Sequence, residues 1–391
     1  MPHVLGRRAA SSASTTPEVA NADSDGARPP PPSAHLGAYR ARDGSAGARV
    51  RVDLDGPHAG LVVGKRGYGK SYTLGVLAEE LARAEGVAPV VVDPMGVFSS
   101  LGCLGVRIVD DPRVAADALA PRAWCDLLGL AADDPAGALV WQAAAARSTL
   151  AGMRSFVAAA DTRADRATRR AADNHLALAE SWGVFAPDAP TAADLLASPT
   201  GAGTSAGTVL DLSGLDPGPA NAVVRAVAAG LYDHCVGGRP ARLPWLLVDE
   251  VHAFFAADDR PSSADSGTAT RSRNVAAPAL RRVLTRGRQP GLSLVAATQR
   301  PSALPPVAVS QADLLLAHRL TSRADLDALA AARPTYLGSF EDRLPDAPGE
   351  VLLVDDATES VHAVSVRERQ TPHGGGSPSA RARPGRGGAD R

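Results

Sequence analysis

The sequence of 391 residues is 45% hydrophobic and 4% aromatic, with 41 Lys plus Arg against 42 Asp plus Glu. That apolar content suits a core that folds without covalent staples, and near-neutral charge excludes a globally basic nucleic-acid coat, so any DNA contact must be a local patch. Cys103, Cys125 and Cys235 are too few and too scattered for a disulfide framework or a zinc site, and no apolar run nears the roughly 20 residues that span a bilayer; the expected setting is a reducing cytoplasm with no membrane and no secretory signal.

Residues 1–45 are rich in Ser, Ala, Asp and Pro and read as a disordered tail. From residue 46 the pattern becomes that of a core. Val50, Val52 and Leu54 alternate with polar residues, Leu61 to Val63 reads as a buried strand, and a helix follows from Ser71 to about Glu85. The apolar run from Pro89 to Val92 makes the next strand, completing one strand-helix-strand unit of a parallel sheet. Residues of about 126–182 are alanine-rich with helical spacing at Leu139, Trp141, Leu150, Met153, Phe156 and Val157, which predicts a helical insertion. Strands are then expected at 208–212 and 245–248, with a helix between them from Pro219 to Cys235. Residues of about 256–275 lack periodicity and read as a mobile loop. A basic helix over 278–288, strands at 292–297, 314–316 and 351–354, and a disordered basic tail over 367–391 complete the chain. The fold class expected from 46–366 is α/β with a mainly parallel sheet.

The strongest motif is Gly64-Lys65-Arg66-Gly67-Tyr68-Gly69-Lys70-Ser71, which satisfies G-x-x-x-x-G-K-[ST] and falls between a predicted strand and a predicted helix. Its backbone N–H groups and the helix N-terminus suit the phosphates of ATP, Lys70 the β/γ oxygens, and the Ser71 hydroxyl Mg2+; Tyr72 follows directly. Lys65 and Lys70 are the chain's only lysines. A compact ammonium on a flexible stem fits the cradle at position 70 where a planar guanidinium would not, whereas Lys65 has no such requirement. Leu246-Leu247-Val248 ends in Asp249-Glu250, placing two acids at the C-terminal edge of a parallel sheet, Asp249 for the magnesium shell and Glu250 to orient and polarise the attacking water. His252 could couple the site to a partner or simply fill the next turn. Gln299, at the end of the apolar strand before Arg300-Pro301, could sense the γ-phosphate or make a strand-end hydrogen bond. Asp93 sits at a strand end too, and there an Asp-Pro turn is equally plausible.

Together these segments resemble the HerA branch of the FtsK–HerA family of P-loop ATPases. The resemblance rests on GKRGYGKSYTLG at 64–75, VVVDPMG at 90–96, VLDLSGL at 209–215, LLVDEVHAFF at 246–255 and GRQPGLSLVAATQRPSALP at 287–305, and covers about 48–366. It implies a RecA-like P-loop NTPase core with a helical insertion, a homo-oligomeric hexameric ring, and an ATP- and Mg2+-dependent motor on double-stranded DNA, often beside a nuclease in end resection. By the same match Lys70 and Ser71 take the phosphate and magnesium roles, Asp249 and Glu250 the metal and catalytic roles, and Gln299 the sensor role. Arg288 and Arg319 are the candidate arginines for a neighbour's nucleotide. Family DNA pumps carry a β-barrel module before the P-loop strand; a tail and a strand or two are expected here, so nuclease docking does not follow.

Competing readings fare worse. Asp211-Leu212-Ser213-Gly214 matches the DxxG of GTPases, but no lysine beyond Lys70 exists for an Asn-Lys-x-Asp motif. Leu212-Ser213-Gly214-Leu215 diverges from a transporter LSGGQ signature, and too few ordered residues follow Gln299 for the second domain of a two-domain helicase. The remaining alternative is an ATP-driven switch or assembly and secretion-type ATPase that gates a protein partner. For DNA, the candidate contacts are Arg271, Arg273, Arg281, Arg282, Arg286 and Arg288, with a solvated helix face as the other reading.

Overall fold

The computed structural model describes residues 3–7, 31–41, 43–159, 164–197, 207–238, 240–257, 274–331 and 343–374. In chain order the first half gives β1 (His3–Leu5), β2 (Ser33–Arg40), β3 (Ala46–Asp53), β4 (Ala59–Val63), α1 (Lys70–Arg83), β5 (Val87–Asp93), β6 (Arg107–Val109) and the helices α2 (Pro121–Leu127), α3 (Pro135–Ala146), α4 (Leu150–Ala158), α5 (Arg166–Ser181) and α6 (Ala192–Leu196). The second half gives β7 (Thr208–Asp211), α7 (Pro217–Gly237), β8 (Leu243–Val248), α8 (Ala277–Arg286), β9 (Ser293–Thr298), α9 (Pro306–Ser310), β10 (Leu314–Ala317), α10 (Arg323–Ala331), β11 (Glu350–Asp355) and β12 (Ser360–Val366).

All twelve of these strands join one sheet in the order β1-β3-β2-β12-β11-β10-β4-β9-β8-β5-β7-β6. The run from β10 to β6 is parallel throughout, whereas β10, β11, β12, β2 and β3 pair antiparallel. This is the mainly parallel α/β architecture expected of a RecA-like core. Parallel strands are covered on both faces and therefore carry continuous apolar runs; β4, β5 and β9 are buried at every position. Alternate side chains feed two cores. Val62, Val91, Leu247 and Val295 pack with Leu74, Leu77 and Leu81 of α1. Leu61, Val90, Leu246 and Leu294 pack on the other face with α7, α8 and the helices between β6 and β7.

Local chemistry sets the helix starts. Proline occupies the first turn of α2, α3, α7 and α8, where its missing N–H costs nothing. Asp165 caps α5 by accepting from Thr168 N at 2.7 Å, and Thr191 and Asp194 form a capping box on α6. Within the alanine-rich segment Leu139, Leu150, Met153 and Val157 are buried, but Trp141 faces outward, 44% exposed.

Both supposed tails need correction. Within 1–45, β1 and β2 belong to the sheet, β1 parallel to β3 and β2 between β3 and β12; residues 8–30 lie outside the described residues. The alternation of β2 rests on Ala34 and Leu36 alone and is broken by two register shifts, so it leaves little period-2 signal. Within 367–391, residues 367–374 pack along α1, and 375–391 lie outside the described residues. The loop at 256–275 lies almost wholly outside them too, including Arg271 and Arg273.

Candidate nucleotide site

The P-loop strand β4 ends at Val63 with β10 on one side and β9 on the other, Val63 standing level with Ala317 and Thr298. The loop that follows must turn sharply beneath a neighbouring strand end. Gly64 has φ 153°, and a Cβ there would lie 2.5 Å from His318 Cβ, so no side chain fits. Gly69, at φ 108°, caps α1 in a left-handed conformation. The loop is pinned at its base by Lys65 N donating to Arg319 O at 2.8 Å and at its tip by Gly349 N donating to Tyr68 O at 3.2 Å. Lys65 itself stacks over Tyr68, 4.5 Å from the ring centroid.

Because β9 lies between β4 and β8, the ends of three strands converge. Ser71 Oγ donates to Asp249 Oδ2 at 2.7 Å, and Glu250 N donates to Asp249 Oδ1 at 2.9 Å. Asp249 is wholly buried, and burial raises its pKa against the hydrogen bond from Ser71. Glu250 holds φ 44°, a left-handed backbone that a non-glycine side chain rarely adopts; burial raises its carboxyl as well, opposed by Lys70 and by the backbone N–H of Gln299. Lys70 is buried, its Nζ 3.4 Å from Lys65 O, and burial lowers its pKa while Glu250 and Asp249 push it back up. One lysine and two acids thus share a partly desolvated corner.

His252 reaches into this corner, its Nδ1 3.2 Å from Thr298 Oγ1 and 3.3 Å from Glu250 Oε2. Burial, then Arg300 and Lys70, lower its pKa, which favours the neutral ring over the charged one. Asp93 resolves as a turn former, accepting from Met95 N and Phe98 N. A cleft of about 570 Å³ opens above the loop between Arg66, Lys70, Ser71 and Glu250 on one side and Tyr72 and Met95 on the other. A hydroxyl beside a buried carboxylate is a hard-oxygen pair of the kind that suits Mg2+ completed by phosphate and water, so Ser71 and Asp249 fit that ion. Among the described residues no cluster of three or more His, Cys, Asp or Glu side chains is arranged to hold a metal alone.

Against known families, residues 40–229 match the model described as "Helicase HerA, central domain". Over that span the chain resembles the HerA-type P-loop ATPases. No curated protein sequence matches it. Among solved structures the chain is similar to VirB4 of Thermoanaerobacter pseudethanolicus, at 16% identity and a TM-score of 0.62 over 85% of this chain and 96% of that one. It is also similar to the bacterial conjugative coupling protein TrwBΔN70, at 16% identity and a TM-score of 0.54 over 83% and 88%. These likenesses concern the fold.

The core gathers Gly64 to Tyr72, Asp249, Glu250 and Gln299 at one sheet edge. It places Arg319 on the same edge, just after β10, paired with Asp346 of its own chain. Arg288 stands at the opposite edge, before β9, with its guanidinium 3.4 Å from Asp313. Sequence reading missed His318, wholly buried beneath the loop, whose Nε2 lies 3.0 Å from Thr73 Oγ1 and whose pKa burial pushes down to about 4. The only sequence signal was its position directly after an apolar strand.

Proposed function

We propose that the chain is an ATP-hydrolysing motor that works as a homo-oligomeric, hexameric ring in the cytoplasm and moves double-stranded DNA. The observation that carries this reading is the one-sidedness of the site. Lysine, hydroxyl, metal-side acid and catalytic acid come from one RecA-like unit, while among the described residues the arginine lining the cleft is Arg66 of the loop itself and neither Arg288 nor Arg319 lines it in its own chain. Phosphoryl transfer gains much from an arginine on the transferred group, and a neighbouring subunit is the natural source.

In this mechanism the loop N–H groups and Lys70 hold the β and γ phosphates. Mg2+ held by Ser71 and Asp249 would withdraw charge from them. Glu250, fixed by its left-handed backbone, orients the attacking water and accepts its proton, a role suited to a carboxylate whose pKa is raised by burial. Gln299 and His252 stand where loss of the γ-phosphate would be felt by Glu250.

Support for DNA comes from Arg281 and Arg286 on the exposed side of α8. Arg282 is less available, lying 4.0 Å over the Tyr232 ring and 3.1 Å from Asp233. The test is steady-state ATPase rate against linear double-stranded DNA at two salt concentrations. Stimulation that fades with salt supports the motor; hydrolysis indifferent to DNA overturns it in favour of a switch that gates a protein partner.

A further inference from the structure

Beyond β12 the chain runs as a strap, Arg367 to Gly374, along α1 and out to the turn after β5. Its anchor is Glu79, an acid of α1 whose side chain is 0% exposed. Arg367 pairs with Glu79 at 2.8 Å and with Glu80 at 2.9 Å. The backbone N–H groups of Gln370 and Thr371 and the Thr371 hydroxyl all donate to Glu79 Oε1 within 2.9 Å. Burial alone would raise the Glu79 carboxyl, yet these bonds hold it below the usual range. Arg369 lies over Gly75, where a Cβ would come 2.6 Å from its Cζ. A strap held this firmly has a fixed end. Ser100 Oγ donates to Pro372 O at 2.6 Å, and the His373 ring meets the Tyr72 ring edge-on at 5.5 Å.

That end closes the outer part of the phosphate cleft. His373 lines it together with Tyr72, Met95 and Val97, and Met95 is 60% exposed, a thioether with little of its surface covered. The same cleft runs from the loop and the N-terminus of α1 past Ser71 to this group, which leaves room there for the base of a nucleotide held by its phosphates. Aromatic rings and a thioether offer faces for stacking, and about 570 Å³ lies in the range of roughly 300–1,000 Å³ of small-ligand clefts.

We propose that the strap builds the base-binding wall of the nucleotide cleft, with His373, Tyr72 and Met95 receiving the purine base of a nucleoside triphosphate. This rests on the phosphate-site reading above and adds a subsite to it. His373 is exposed and makes none of the bonds to Glu79, its Nδ1 lying 3.1 Å from Arg369 Nη1.

The experiment is calorimetric titration of the full chain and of His373→Ala and His373→Phe with Mg2+ plus AMP-PNP and, separately, Mg2+ plus tripolyphosphate. His373→Ala should weaken AMP-PNP on the order of tenfold, the scale of one base–aromatic stack, leave tripolyphosphate unchanged, and be rescued by His373→Phe. Unchanged AMP-PNP affinity in His373→Ala overturns the proposal. So does equal loss of both ligands, which would make the strap a brace for α1. If the unaltered chain binds tripolyphosphate as tightly as AMP-PNP, the base wall fails while the phosphate site stands; if it binds neither, the phosphate site fails first.

Discussion

The two edges of the parallel sheet both carry buried or half-buried acids, and they treat them differently. At the N-terminal edge Asp53 is paired with Arg7. Asp313 accepts from Ala59 N at 3.0 Å and faces His58 at 3.3 Å and Arg288 at 3.4 Å. At the C-terminal edge Asp249 has only the Ser71 hydroxyl and its neighbour's backbone N–H, and buried Glu250 Oε2, though His252 Nδ1 lies 3.3 Å away, makes no hydrogen bond among the described residues. Buried acids are ordinarily satisfied. An acid pair of which Glu250 has an unbonded oxygen and a left-handed backbone, beside a buried lysine, is the signature of a site built for a charged ligand. The satisfied acids hold the fold together.

The difference can be tested from both sides. Glu250→Gln should lower kcat about a thousandfold with nucleotide still bound, measured by paired turnover and titration assays; normal turnover removes Glu250 from the chemistry. Lys70→Ala should weaken nucleotide binding by roughly a hundredfold, the worth of a buried charge-assisted contact, and undiminished affinity in calorimetry would sink the phosphate role. Asp313→Ala strands the Ala59 N–H and two basic side chains. Chemical denaturation should report a loss of about 2 kcal/mol, with the ATPase rate of the folded protein retained; a lost rate at full stability would move chemistry to the wrong edge.

Asp249→Asn should do the reverse and stabilise the nucleotide-free protein by about 1 kcal/mol. Its amide can still accept from Glu250 N and can donate to Ser71 Oγ once that hydroxyl turns. The sign follows from burial. The folded-state pKa of Asp249 is raised, so the folded protein holds this proton more tightly than the unfolded chain, and that contribution is lost as pH rises through the raised value. The melting temperature of Asp249→Asn should therefore exceed that of the unaltered chain more at pH 8 than at a pH below the ordinary aspartate value of 3.8, while the gain in stability from Mg2+ with nucleotide disappears. A melting temperature below that of the parent at pH 8 would place Asp249 among the structural acids.

Much of the phosphate edge was legible because its chemistry is written in contiguous residues. Eight residues spell the loop, and Asp249-Glu250 closes an apolar strand. What stayed hidden depends on residues far apart in the sequence. Glu79 looks like any helix-face acid until Arg367 and Thr371 arrive from almost 300 positions away, and His318 gains meaning only because Gly64 must pass beside it. The strand at 33–40 was hidden for the opposite reason, since its edges follow a proline run and its bulges erase the alternation. Arg288 was assigned by motif company, but β9 separates it from the phosphate edge in its own chain.

The strap and β2 also constrain the order of assembly during synthesis. Glu80 accepts from His35 N at 2.7 Å and pairs with Arg367, so the phosphate-loop helix is gripped by residues from both flanks of the chain. Such distant pairings make folding slow and late-closing. The nucleotide-binding helix gains its last partner only after residue 371 has left the ribosome, so a nascent chain halted earlier carries the loop sequence with Glu79 lacking the strap that pairs with it.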